Sequence, residues 1–213
     1  MRIPNSFGGR PRPRHTTRGQ SLVEFALVTP ILLFLVVLVA DFGRVFATVV
    51  LVEGAARNAA EAVANAYVAT PPGGALNVPA PAYDAAYYDP LHAAAAESVC
   101  AETAELPNAN FDPGTGRCPG MPLVATCIHD GRDSCGGADD DQNAAIPAEC
   151  DELLTAMAPT QAAGAGRYVE VRICYRFQSI LRMPLLSFGD IWVQRTRTFV
   201  IPCYFVLGQD ECG

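Results

Sequence analysis

From Phe25 to Ala40 the chain reads FALVTPILLFLVVLVA, sixteen residues without a charge, and counting from Ser21 gives twenty. Twenty helical residues at 1.5 Å each span about 30 Å, the thickness of a bilayer's hydrocarbon core. Past Asp41 the pattern changes. Glu53, Arg57 and Glu61 recur every fourth residue, and Ala55, Ala56, Ala59, Ala60, Ala62, Ala64 and Ala66 fill the positions between. One unbroken helix from Ser21 to Tyr67, about 70 Å long, is predicted; it exceeds the bilayer and must project from it. The alanines suit either close packing or simple helix propensity. Pro30 lacks an N–H and is expected to kink or locally unwind the helix.

Downstream the periodicity lapses. Thr70 to Pro90 is rich in Pro and Gly and reads as a linker. A short Ala-rich helix is predicted from Leu91 to about Glu105, ended by Pro107, and a second from Glu149 to Met157; the rest of 108–166 reads as loop. In YVEVRICYRF, Val169, Val171, Ile173, Tyr175 and Phe177 alternate with Glu170, Arg172, Cys174 and Arg176, the period of a half-buried strand. Asp190 to Phe205 reads as a second strand after a twelve-residue Pro-containing connection. The expected class is α+β: a long transmembrane and stalk helix (20–68), a Pro/Gly/Cys-rich insertion outside the membrane (69–166), and a small antiparallel sheet built on a C-terminal strand pair (167–213).

Charge sharpens the topology. All 15 cationic residues are Arg, and five of them (Arg2, Arg10, Arg12, Arg14, Arg18) stand in the first twenty positions without an acid. The remainder carries 10 − 22 = −12, a field that repels phosphates and argues against nucleic-acid binding. An Arg-rich flank before a single apolar run puts residues 1–19 in the cytoplasm and everything after Asp41 outside. A secretory signal cleaved after Val45-Phe46-Ala47 would instead release a cysteine-rich binding module. A plain anchor would leave Glu24 as a charge costing up to ~3 kcal/mol at the bilayer centre.

Arg18-Gly19 followed by Gln20-Ser21-Leu22-Val23-Glu24-Phe25 has the form of a prepilin leader, in which a peptidase cuts before the apolar run and leaves it in place. GQSLVEFALVTPILLFLVVLVADFGRVF and the Ala-rich helix after it, to about Ala66, resemble the start of TadE-like pseudopilins of the tight-adherence (Tad, or Flp) pilus system. The shared features are a Gly-x-x-x-x-Glu-Phe-Ala opening, an early Pro (Pro30) and an Asp-Phe-Gly-Arg exit (Asp41 to Arg44). The strand–loop–strand C-terminus is similar to that family's as well. The resemblance implies cleavage between Gly19 and Gln20, with Glu24 then the fifth residue and able to pair with the α-amine of a neighbouring subunit. It also implies a non-enzymatic pseudopilin or minor pilin without a cofactor, single-pass in the cell membrane. Its partners would be other pilins or pseudopilins, the pilus assembly platform, a prepilin peptidase and the lipid bilayer. Asp41 and Arg44, at i, i+3, would pair at the outer interface.

All eight cysteines (Cys100, Cys118, Cys127, Cys135, Cys150, Cys174, Cys203, Cys212) follow the apolar run. An even count on the side expected to be oxidising predicts disulfides, with connectivity open among 105 pairings. A zinc site on Cys127, His129 and Cys135 lacks the C-x-x-C spacing of common structural sites, so no metal is expected. Asp139, Asp141 and Asn143 start like an EF-hand loop, but Ala144 and Cys150 break the pattern. No G-x-S-x-G, H-E-x-x-H or phosphate loop gives His15, His92 or His129 catalytic work.

Overall fold

The computed structural model describes residues 20–69, 84–135, 146–155, 157, 166–180 and 190–201. Two compact units divide at Ala40 and Asp41. The fifty-residue helix α1 (Gln20–Ala69) begins in the first and continues into the second, and it stays helical through Pro30. The unwinding expected there does not occur: the helix runs on past Pro30 despite the backbone hydrogen bond that proline cannot donate.

In the second unit α1 loses its all-round apolarity and becomes one-sided. Val52, Ala55, Ala56, Ala59, Ala60, Val63, Ala64 and Tyr67 are buried, whereas Arg57 and Glu61 face solvent. Ala62 stays exposed, but Ala55, Ala56, Ala59, Ala60 and Ala64 pack inside the chain. They form one core with Leu91, Ala95, Ala96 and Val99 of α2 (Ala85–Thr103) and with the sheet. Helix α2 starts at Ala85 rather than Leu91, because Asp84 caps it: its Oδ1 accepts the Ala86 N–H at 3.1 Å. Pro90 thus lies within the helix rather than in the linker.

The sheet has three antiparallel strands in the order β1 (Leu123–His129), β2 (Tyr168–Phe177), β3 (Ile191–Val200). The expected C-terminal pair is present in the register Tyr168↔Val200 to Phe177↔Ile191. Strand β1 corrects the reading of 108–166 as loop: it pairs along β2 from Leu123↔Cys174 to His129↔Tyr168. Odd-numbered residues of β2 face the helices with Val124, Ile128 and Val193. The opposite face holds a second cluster of Leu123, Ala125, Cys127, Cys135, Cys150, Leu153, Met157 and Cys174. The short helix α3 (Asp151–Leu154) lies there, within the 149–157 helix expected but reduced to one turn. Arg172 holds it, donating from Nη1 to the carbonyls of Glu152 (2.6 Å) and Thr155 (2.9 Å).

A candidate assembly helix and the ties of the folded unit

Glu24 lies on α1 and is solvent-exposed, as are Leu22, Val23, Phe25, Leu27 and Val28 around it. Apolar exposure continues through Ile31, Leu32, Leu33, Leu35, Val36 and Val39. A helix apolar on every side suits lipid or neighbouring helices rather than water. The Thr29 hydroxyl turns back onto the Phe25 carbonyl at 2.6 Å, which hides its polarity from such an environment. Gln20 is the first residue of α1, and Gly19 lies outside the described residues.

Where the uncharged run ends, Asp41 is buried. Arg44 stands 3.5 Å from it as the i, i+3 ion pair, with its guanidinium 5.3 Å over the Phe177 ring. Two further partners of Asp41 come from the end of β2. The Ser179 hydroxyl donates to Oδ2, and the Ile180 N–H donates to Oδ1 at 3.2 Å. Asp41 is therefore the point where α1 and the β2–β3 corner join, beyond its role in the expected pair.

Higher on α1, Glu53 accepts from Arg197 and lies 3.7 Å from Arg195. Both arginines point from the edge strand β3 toward the helix, opposite Val171 and Ile173 of β2. The charged repeat Glu53, Arg57, Glu61 is thus split: its first member ties helix to sheet. Alternation in β3 carried a signal for this, since Val193, Arg195, Arg197 and Phe199 share one face.

At the far end, Tyr67 of α1 and Tyr88 of α2 both donate to Oδ2 of Asp130, at 2.8 and 2.6 Å. Burial first, and then the Asp130 carboxylate, hold both hydroxyls well above the ordinary tyrosine value of 10.0. Oδ1 of Asp130 accepts the N–H groups of Arg132 and Asp133, and Gly131, between Asp130 and Arg132, adopts φ +79°, open to glycine at no steric cost. Asp133 accepts from Ile128 N at 2.7 Å and lies 2.9 Å from His92 Nε2. His129 stacks on Tyr168, 4.1 Å between centroids, with Nε2 2.9 Å from Glu170.

Six of the cysteines form three disulfides: Cys100–Cys118, Cys127–Cys135 and Cys150–Cys174. Cys203, Cys212 and the acidic stretch 139–143 lie outside the described residues. Sulfurs of Cys127 and Cys135 and a carboxylate oxygen of Asp133 come within 4.8 Å of one another. The sulfurs are bonded together, however, and a disulfide offers no thiolate to zinc. The same bond leaves no free thiol at Cys127 or Cys135.

Comparison with known proteins agrees with the position of these features. No curated protein and no solved structure matches the chain significantly. Residues 19–61 match the family model described as TadE-like protein, from Gly19 through the exposed apolar helix into its buried continuation, and the match stops short of the sheet. Over residues 19–61 the chain is therefore similar to TadE-like proteins.

Proposed function

We propose that the chain is a pseudopilin or minor pilin that takes part in building a Tad-type pilus, and that it associates with other pilins through the N-terminal part of α1. It is cut after Gly19, keeps its helix in the membrane with residues 1–19 cytoplasmic, and presents the disulfide-stapled unit outside. The observation carrying this reading is a carboxylate, Glu24, exposed in the otherwise uncharged stretch of α1 before Asp41, within a TadE-like match that begins at Gly19. In lipid such a charge is costly, and the α-amine of Gln20 on a neighbouring helix supplies the counter-charge within an assembly.

The test compares Glu24→Gln with wild type for membrane insertion, leader cleavage and crosslinking to partner pilins. Glu61→Gln is the control, since Glu61 is exposed; Glu53 is unsuitable because it binds Arg197. Insertion and cleavage stay normal, while crosslinking falls by more than about a hundredfold, the equivalent of the ~3–5 kcal/mol for breaking a buried pair. Equal crosslinking with normal cleavage would refute the role given to Glu24.

A further inference from the structure

The exposed apolar surface of α1 continues past the residue that ends the uncharged run. Phe42 and Phe46, 62% and 71% exposed, follow at i, i+4 on one helix face, and Val50 extends the line. Asp41 sets no water boundary here, because Ser179, Ile180 and Arg44 already satisfy its carboxylate inside the fold. Ile180, whose backbone binds Asp41, leaves its own side chain 60% exposed. The connection after it reads LRMPLLSFG, apolar apart from Arg182 and Ser187.

We infer that the base of the ectodomain is a lipid-binding surface, with Phe42, Phe46 and Ile180 in the headgroup–acyl boundary of the outer leaflet. The inference rests on the membrane-anchored reading of α1. Continuity identifies the occupant: Phe42 stands two residues after Ala40, the last of the lipid-length run. Phe42 and Phe46 are about 6 Å apart along the axis, which fits the ~5–10 Å depth of an interfacial contact. The ectodomain is then held close against the membrane at Asp41 rather than free on a stalk.

The single tryptophan makes a direct test possible. In a Trp192→Phe background, the full chain carrying Phe42→Trp or Ile180→Trp is reconstituted at low density in phosphatidylcholine vesicles with brominated acyl chains. Leu33→Trp, in the apolar run, reports membrane insertion. Val200→Trp is equally exposed, but sits at the other end of β3, about 30 Å from Ile191 at 3.3 Å per residue. Phe42→Trp and Ile180→Trp should show blue-shifted emission and at least half the quenching of Leu33→Trp, with Val200→Trp unquenched. Quenching at Leu33→Trp without quenching at Ile180→Trp would overturn the inference and leave the anchor intact. Emission that is blue-shifted yet unquenched would mean protein covers the surface, and also overturns it. Loss of quenching at Leu33→Trp itself would remove the membrane reading and the inference together.

Discussion

The Tyr67 hydroxyl, near the C-terminal end of α1, donates a 2.8 Å hydrogen bond to Asp130, the residue that follows β1. Twenty-six residues earlier on the same helix, about 39 Å away along the axis, Asp41 receives Ser179 from the end of β2. Strand β2 runs antiparallel to α1 between these two ties. Each couples the helix to a different strand end, so the helix cannot slide along the sheet without breaking buried hydrogen bonds to a carboxylate.

Tyr67→Phe and Tyr88→Phe should each destabilise the second unit by about 1.5–3 kcal/mol, the range for hydrogen bonds to charged groups. They share one acceptor, so the double variant should lose less than the sum. Thermal unfolding under non-reducing conditions measures both. The pH dependence has a defined sign. Both tyrosines ionise at higher pH folded than unfolded, so their contribution is complete below about pH 10 and is lost as pH rises toward the folded-state values. Replacing both with Phe should flatten the alkaline limb of the stability profile. An unchanged limb would mean that these hydroxyls are not the groups that titrate.

Asp41→Ala removes the acceptor shared by Ser179 and Ile180. The expected cost is about 1–3 kcal/mol, set by the buried donors left without a partner. Limited proteolysis should find the 178–190 connection cut faster in the variant, with Arg182 the tryptic site. Equal cutting rates would show that Asp41 does not hold this corner.

Alkylation of the non-reduced, denatured protein should leave Cys100, Cys118, Cys127, Cys135, Cys150 and Cys174 unlabelled, with peptide mapping recovering the three pairs. Loop closure over 18, 8 and 24 residues sets an order of effect. Serine pairs at Cys150/Cys174 should cost most, about 3.5 kcal/mol, and at Cys127/Cys135 least, about 2.5 kcal/mol, in the chain-entropy account. Quantitative labelling would place the domain in a reducing compartment.

Mass spectrometry of the membrane-extracted protein should show a mature chain that starts at Gln20 with the apolar run intact. A start at Thr48 would favour a secreted module cut after Ala47.

The long apolar helix, strand β2 and the confinement of cysteines to the later chain were all legible in the sequence, because each depends on composition or on a local period. A run of uncharged residues is apolar whatever it meets, and β2 alternates because α1 and α2 cover one of its faces while its charges turn to the other. Strand β1 has no such signature. LVATCIH is buried at every position, between helices on one side and the disulfide cluster on the other, so it never alternates. The side taken by the alanines of α1 was equally undecidable locally, since Ala favours any helix and only the sheet distinguishes its faces. Asp41, Glu53 and Asp130 look like surface charges until side chains 42 to 144 residues away in sequence come to meet them. Burial of a charge is a property of the assembled fold, because its cost is offset only by donors that tertiary structure brings within hydrogen-bonding distance.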